Sequence, residues 1–491
     1  MPSGSNRRDF LYGLGAAALI VGFDPISRRW VTGAEVRAPA ISVPPLKGQL
    51  LFSSDALSAA ADDFGHIVHH RPWAVLQPAD VNDIVLMLRF CDEQQILAAP
   101  RGQGHATFGQ AQASGGLVIE TATLNAIQVG QDSVVVQAGA RWSAVLGATL
   151  PQGLTPPVLT DYLELSVGGT LSVGGVGGAS PHFGAQVDTV LELQVVTGAG
   201  QLVVCSPTQA PDLFNAVLAG LGQCAIIVSA TLSLVPALSQ VRHYMLFYPT
   251  VQALTADQRL VRADGRFSFV EGGAQLNPNG PGWIFYLEAA AYFDTTPPDD
   301  NALIGDLHFE PGTQQIEDLG YFDFLNRLAP AVAFLESTGE WFDPHPWWNM
   351  FLPDSATDAF VSGVMANLTE ADIGASGVIL LYPLRRSALR APLLRVPGEP
   401  VVFLFSVLRT AAPDAGGALS AGVLVADNRA LFEQARALGG YEYPVGSIPL
   451  SHSDWVQHFG PQWPSLAAAR RRYDPNGILT PGQGIFTPEQ G

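Results

Sequence analysis

After Pro100 the chain runs Arg101-Gly102-Gln103-Gly104-His105. The alternating glycines carry no Cβ, so their N–H groups can approach an anion closely and positive φ costs them little. The loop has neither the Gly-Lys-Ser/Thr of a nucleoside-triphosphate loop nor the Gly-x-Gly-x-x-Gly spacing, and a turn is the ordinary reading of so short a motif. A second cluster, Val167 to Gly178, holds six glycines in twelve residues. Such a stretch is a poor strand or helix, so it is expected to lie along a ligand. Two anion-accepting loops in one domain suit a pyrophosphate.

Two further side chains stand beside these loops. His105 is either a turn-end imidazole with a satisfied hydrogen bond or a nucleophile. Asp161, in Leu159-Thr160-Asp161-Tyr162-Leu163, is a carboxylate in an apolar, aromatic stretch. It is either a turn aspartate capping Tyr162 or Leu163, or a partly desolvated base. Other chemistries lack their residues. No His-Glu-x-x-His occurs, and His66, His69 and His70 lack a carboxylate pair at ligand spacing, so no metal site is expected. No Gly-x-Ser-x-Gly elbow is present for a serine nucleophile. Cys91, Cys205 and Cys224 form neither a disulfide framework nor a Cys-x-x-Cys pair.

The elements that must hold these residues are short strands broken by glycine-rich turns. Ala74 to Gln77, Ile96 to Pro100, Leu117 to Ile119, Ser133 to Ala138 and Leu191 to Val196 read as strands. Asp80 is the expected N-cap of a helix running to about Glu93. From about Ser239 longer helices enter (Tyr321 to Glu336, Ser355 to Asn367, Asp427 to Leu438), alternating with strands Trp283 to Ala290, Val378 to Tyr382 and Val401 to Leu408. The irregular alternation predicts an α+β fold, with an antiparallel sheet covered by helices in the second half. The Pro/Gly-rich stretch from Trp455 to Phe486 is expected to return to the first domain.

The 491 residues fit two to four domains of about 100–200 residues each. With 47% hydrophobic and only 14% charged residues, the chain is neither disordered nor a coiled coil. Its 44 acidic against 25 basic side chains leave a net charge of −19. That sign repels phosphate backbones and removes nucleic acid as a partner. Arg7-Arg8 precedes an apolar run from Leu11 to Phe23, too short to cross a hydrocarbon core of roughly 30 Å. The pattern fits a twin-arginine export signal, with Ala34, Ala38 and Ala40 offering a cleavage site; an apolar N-terminal helix is the plainer reading. Residues 1–40 are set aside as this leader. A periplasmic or secreted protein with no membrane anchor is expected.

Taken in order, the blocks resemble the cytokinin dehydrogenases, within the vanillyl-alcohol-oxidase-like group. They are Arg101 to His105 with Gly109-Gln110-Ala111; Thr160 to Leu163 leading into Val167 to Ser172; Val190 to Leu193; Gly220 to Gln223; and Val270-Glu271-Gly272. Asp323 to Arg327, Pro344 to Trp347, Tyr382-Pro383-Leu384, Trp455, Tyr473 to Asn476 and Pro481 to Phe486 complete the series. The resemblance implies a PCMH-type FAD-binding domain over 45–238 and 447–491, with a substrate domain over 239–446. It implies FAD carried covalently by His105 through the flavin's 8α-methyl group. Gly102, Gln103, Gly104 and Gln110 match the pyrophosphate loop. Ser166, Ser172, Val176, Ile227, Thr480 and Gln483 match flavin-contacting positions. Asp161 matches the acid that accepts a hydrogen bond from the substrate amine.

The implied reaction oxidises N6-isoprenyl adenines to an imine that hydrolyses to adenine and an aldehyde, with a quinone or oxygen taking the electrons. The oligomeric state is not legible. Ala106 stands where the family has serine, leaving Thr107 as the hydroxyl to compensate, and Leu159 replaces an aromatic. The stretch Ala179 to Phe183 differs, and Gly446 falls where the family places a tyrosine. These departures cluster at the pocket. Two other readings stay open: the same fold oxidising another amine, an alcohol or a sugar, and a flavin-free binding protein.

Overall fold

The computed structural model describes residues 20–32, 40–277, 280, 282–374, 376–411 and 420–486. Arg7 and Arg8 lie outside these residues.

Three main sheets carry the molecule. The first orders Gln49–Leu51, Ala74–Gln77, Leu117–Glu120 and Ala98–Arg101, the last three parallel. The second is antiparallel, in the order Leu202–Cys205, Val190–Thr197, Ala225–Ser233, Ser133–Gln137 and Ile127–Val129. The third has eight antiparallel strands, ordered Gln315–Gly320, Gln240–Tyr248, Trp283–Phe293, Phe269–Leu276, Val378–Arg385, Val401–Leu408, Trp348–Pro353 and Tyr441–Glu442.

The large sheet is buried on both faces, which explains apolar runs such as Val-Val-Phe-Leu-Phe in place of simple alternation. Phe403, Phe405 and Val407 join one core with Leu254, Val361 and Phe432 from the helices Val251–Asp264, Asp354–Met365 and Ala421–Ala437. Their neighbours Val402 and Leu404 join the other core, with Val176, Leu171 and Ile227 from the glycine-rich half. The site described below sits at this second face.

Asp80 caps its helix as expected, accepting from Asn82 and Asp83 N–H. The tail returns to the first sheet: Ala98 N–H donates to Ile478 at 2.8 Å and Thr480 N–H to Ala98 at 2.8 Å.

Several expectations need correction. The stretch from Tyr321 is two helices, Tyr321–Leu325 and Ala329–Thr338, because Pro330 opens a new first turn. The helix expected from Asp427 starts at Ala421, where Ser420 caps it. Half of the second glycine cluster is a helix, Val167–Val173. Packing overrides propensity there: a Cβ on Gly168 would lie 2.8 Å from Ala138 Cβ, so glycine allows the close approach. Finally, part of the span set aside as leader belongs to the fold. Ile20–Asp24 and Arg29–Thr32 form a hairpin that also pairs with Ile41–Ser42. Trp30 stacks on Phe90 at 5.7 Å and Phe23 is buried between them and Trp73.

Candidate active site

Strand Ala98–Arg101 delivers the first glycine loop into the molecule. A Cβ on Gly102 would lie 2.0 Å from Ser166 Oγ, so the loop lies against the start of the glycine helix. Gly104 has φ +71° beneath the Arg101 guanidinium, a conformation and a gap that only glycine fits. The guanidinium donates to the Asp62 carbonyl. Gln103 accepts from Arg141 Nε at 3.1 Å.

His105 is enclosed by aromatic rings. It stacks on Phe64 at 4.0 Å, and Phe64 also stacks on His345 at 3.9 Å, with Tyr162, Trp341 and Trp347 around them. Burial, with His345 as a second cause, pushes the His105 imidazole down to about 3, so the ring is neutral at pH 7. A cavity of about 460 Å³ opens beside it, lined by Asp62, Phe64, Arg101, Tyr162 and Trp341 among others.

The second cluster runs under the large sheet. Ser166 is buried, and Ser172 Oγ donates to Gly168 at 2.7 Å. Val176 and Ile227 are both buried in the shared core. Gly175 N–H donates to Tyr443 Oη at 3.1 Å. A Cβ on Gly177 would lie 2.1 Å from the Leu159 carbonyl, which fixes the loop carrying Asp161. Thr480, at φ +48°, donates its hydroxyl to Gly222 at 2.8 Å, and Gln483 follows in the short turn Pro481–Gln483.

Two side chains beside the first loop bond within the protein. Gln110 braces the loop, accepting from Phe108 N–H at 2.7 Å and donating to Gly446 at 3.0 Å. Thr107 does not compensate for Ala106: its hydroxyl donates to the Val445 carbonyl at 3.1 Å.

These residues fit FAD. The backbone is bared by glycines at both loops, and the first loop opens on the cavity through Arg101, Gln103, Gly104 and His105.

Asp161 caps neither Tyr162 nor Leu163; Thr160 holds that turn by donating to the Tyr162 carbonyl at 3.1 Å. Its partner comes from the other half of the protein. Arg327, just past helix Tyr321–Leu325, donates from Nη2 to Asp161 Oδ1 at 2.9 Å. The same guanidinium meets Glu288 Oε1 at 2.6 Å from Nε and Glu271 Oε2 at 3.4 Å. Phe269 and Phe324 rings lie 4.9 Å from its centre. Arg327 therefore stays charged against its burial, held by Glu288 and Asp161.

The carboxyls divide in state. Arg327 and His243 hold Glu288 at about 2 despite its burial. Burial, then the neighbouring Asp161, pushes Glu271 well above the carboxylate range, toward its protonated form. Glu271 Oε1 is buried with no donor in reach. A proton there, given to the adjacent Asp161, satisfies it. The arrangement offers one proton acceptor, Asp161, next to the cavity-lining Tyr162 and backed by a second carboxyl and a fixed cation.

Sequence reasoning missed this cluster. Glu271 and Arg327 stand within the family blocks with no role attached, and Glu288 and His243 fall outside them. The four lie on three strands and a helix end, with no common spacing. The one signal was that charged residues punctuate otherwise apolar strands.

Comparison with known proteins finds similar chains and a similar fold. The family described as "Cytokinin dehydrogenase 1, FAD and cytokinin binding" matches residues 274–486, and an FAD binding domain family matches 72–206. An uncharacterized oxidoreductase, ORF5 in the fasciation locus of Rhodococcoides fascians, is 41% identical over 87% of this chain and 96% of its own. Cytokinin dehydrogenase 10 of Oryza sativa subsp. japonica is 34% identical over 94% of this chain and 93% of its own. The fold is that of 6-hydroxy-D-nicotine oxidase from Arthrobacter nicotinovorans, with a TM-score of 0.72, 18% identity, and 91% of this chain and 99% of that one covered.

Proposed function

This chain belongs to the cytokinin dehydrogenase family of FAD-dependent oxidoreductases, and from that premise we propose that it oxidises the exocyclic C–N bond of N6-isoprenyl adenines. The product imine hydrolyses to adenine and an aldehyde. The observation that carries this reading is Asp161 held by Arg327 at 2.9 Å, with Glu271 on the same guanidinium at 3.4 Å.

FAD, when bound, supplies the two-electron acceptor for such a C–H bond. The protein's own part is to bind, orient and manage one proton. Asp161 accepts the hydrogen bond of the substrate's secondary amine and draws off its N–H proton density. Arg327 fixes the direction of that carboxylate. Glu271, its acidity weakened by burial, leaves Asp161 as the acceptor.

The same reading gives His105 as the point of covalent attachment: its neutral imidazole is the nucleophilic form, and the surrounding rings fix its direction. His105→Ala should leave the fold intact and release all flavin into the supernatant on denaturation, whereas the parent should precipitate yellow. Colourless precipitate from the parent removes the covalent link. A quinone or oxygen serves as acceptor, and the twin arginine sends the enzyme to the periplasm or outside.

The reading is tested by incubating the purified protein with isopentenyladenine and a quinone and assaying both products by mass spectrometry. Adenine and aldehyde in equal amounts support it. An unchanged substrate, with a flavin that dithionite still reduces, contradicts it.

A further inference from the structure

The charged cluster extends beyond the groups that the proposed reaction uses. Arg327 faces three carboxyls, one on the loop before the glycine helix (Asp161) and two on neighbouring strands of the large sheet (Glu271 and Glu288). Glu288 is gripped from its other side by His243 Nε2 at 3.1 Å, and His243 Nδ1 meets Glu317 at 3.1 Å. Two carboxylates accept only from two N–H groups, so both bonds form together when the ring carries both protons. Glu317 is 60% exposed, whereas His243, Glu288, Arg327 and Glu271 are 3–15% exposed. One line of charge thus runs from solvent to Asp161.

From this geometry, and resting on the reading of Asp161 as proton acceptor, we infer that Arg327 is a positioning residue that decides which carboxyl of the cluster keeps a proton. Its grip is set from outside by Glu288, His243 and Glu317. The planar guanidinium cannot turn, because Phe269 and Phe324 pack at 4.9 Å from its centre and Glu288 takes the Nε bond at 2.6 Å. One N–H is thereby aimed at Asp161, and the shared proton is left to Glu271. The other titratable groups near the cluster are Tyr286, Tyr292 and Tyr382, phenols that burial holds protonated.

The test uses the flavin-loaded full-length protein and compares Arg327→Gln with Arg327→Lys. Loss of the cation disfavours an ionised carboxyl beside it, so the acid limb of kcat for Arg327→Gln should move up by about 1–3 pH units. Arg327→Lys keeps the charge but not the fork; its limb should stay in place while kcat falls. Infrared spectra at pH 7 should show one more protonated carboxyl in Arg327→Gln than in the parent, and the added Asp161→Asn change should remove it.

An equal loss of activity at every pH, with no new carboxyl band, would show a merely structural role and overturn the inference. If Arg327→Gln does not fold, His243→Gln carries the same test with a smaller upward shift, and an unmoved limb overturns it. The infrared arm needs no substrate. A parent that leaves isopentenyladenine untouched therefore defeats the substrate reading alone.

Discussion

The glycine-rich half and the eight-stranded sheet build their shares of one site by opposite means. In the first, the chemistry is backbone: Gly102, Gly104, Gly168 and Gly177 are glycine because another atom occupies the space a Cβ would take. In the second, it is made by side chains: Glu271, Glu288 and Arg327 reach the site from separate elements and sort their charges by mutual distance. A cradle made of backbone demands residue types at fixed spacing, whereas a charged cluster demands only that the fold bring its members together.

Breaking the charged side should have the largest effect. Asp161→Asn should lower kcat by roughly 10²–10⁴, the range for a lost acid–base group, while the protein stays yellow and its melting temperature changes little. A wild-type kcat would remove Asp161 from the chemistry.

Breaking the backbone side should act through stability and cofactor instead. In Gly177→Ala the new Cβ meets the Leu159 carbonyl at 2.1 Å, and backbone does not swing aside as a flexible side group does. An overpacking cost of about 1–3 kcal/mol is expected, read as a lower midpoint in urea, together with reduced flavin content. Unaltered stability and full flavin loading would show that the approach of these two loops is looser than described.

The smallest effect sharpens the comparison by pH. Burial, with Asp454 adding to it, pushes Glu442 on the edge strand of the large sheet up to about 8. Its unfolded carboxyl releases its proton near about 4.3, so between about 4.3 and 8 the native state holds one proton more than the unfolded state. Stability from this group is full at the acid end and declines as pH rises through that window. Glu442→Gln should flatten that slope in urea titrations at several pH values; an identical slope would place the sensitivity elsewhere.

This division explains what was legible in the sequence. The loop Arg101 to His105 and the cluster Val167 to Gly178 announced themselves by composition, and the strand Val401 to Leu408 has the expected bounds. The helix inside the second cluster was hidden because its stability comes from contact with Ala138, a partner that local propensity cannot see. The Asp161 loop was visible as a carboxylate in apolar surroundings. Its dependence on Arg327, 166 residues away, was not, since nothing local distinguishes Arg327 from a solvated arginine. The hairpin Ile20–Thr32 was masked by its likeness to the end of a leader; only its place in the fold sets Phe23 and Trp30 among core aromatics.

The central claim is that Asp161 and its buried cluster prepare an amine for oxidation by bound FAD. The direct measurement is anaerobic mixing of the purified yellow protein with isopentenyladenine, following the visible flavin absorbance in the parent and in Asp161→Asn. The account predicts rapid bleaching in the parent and bleaching slowed by roughly 10²–10⁴ in the variant. Equal rates in the two proteins, or no bleaching in a parent whose flavin dithionite still reduces, would contradict it.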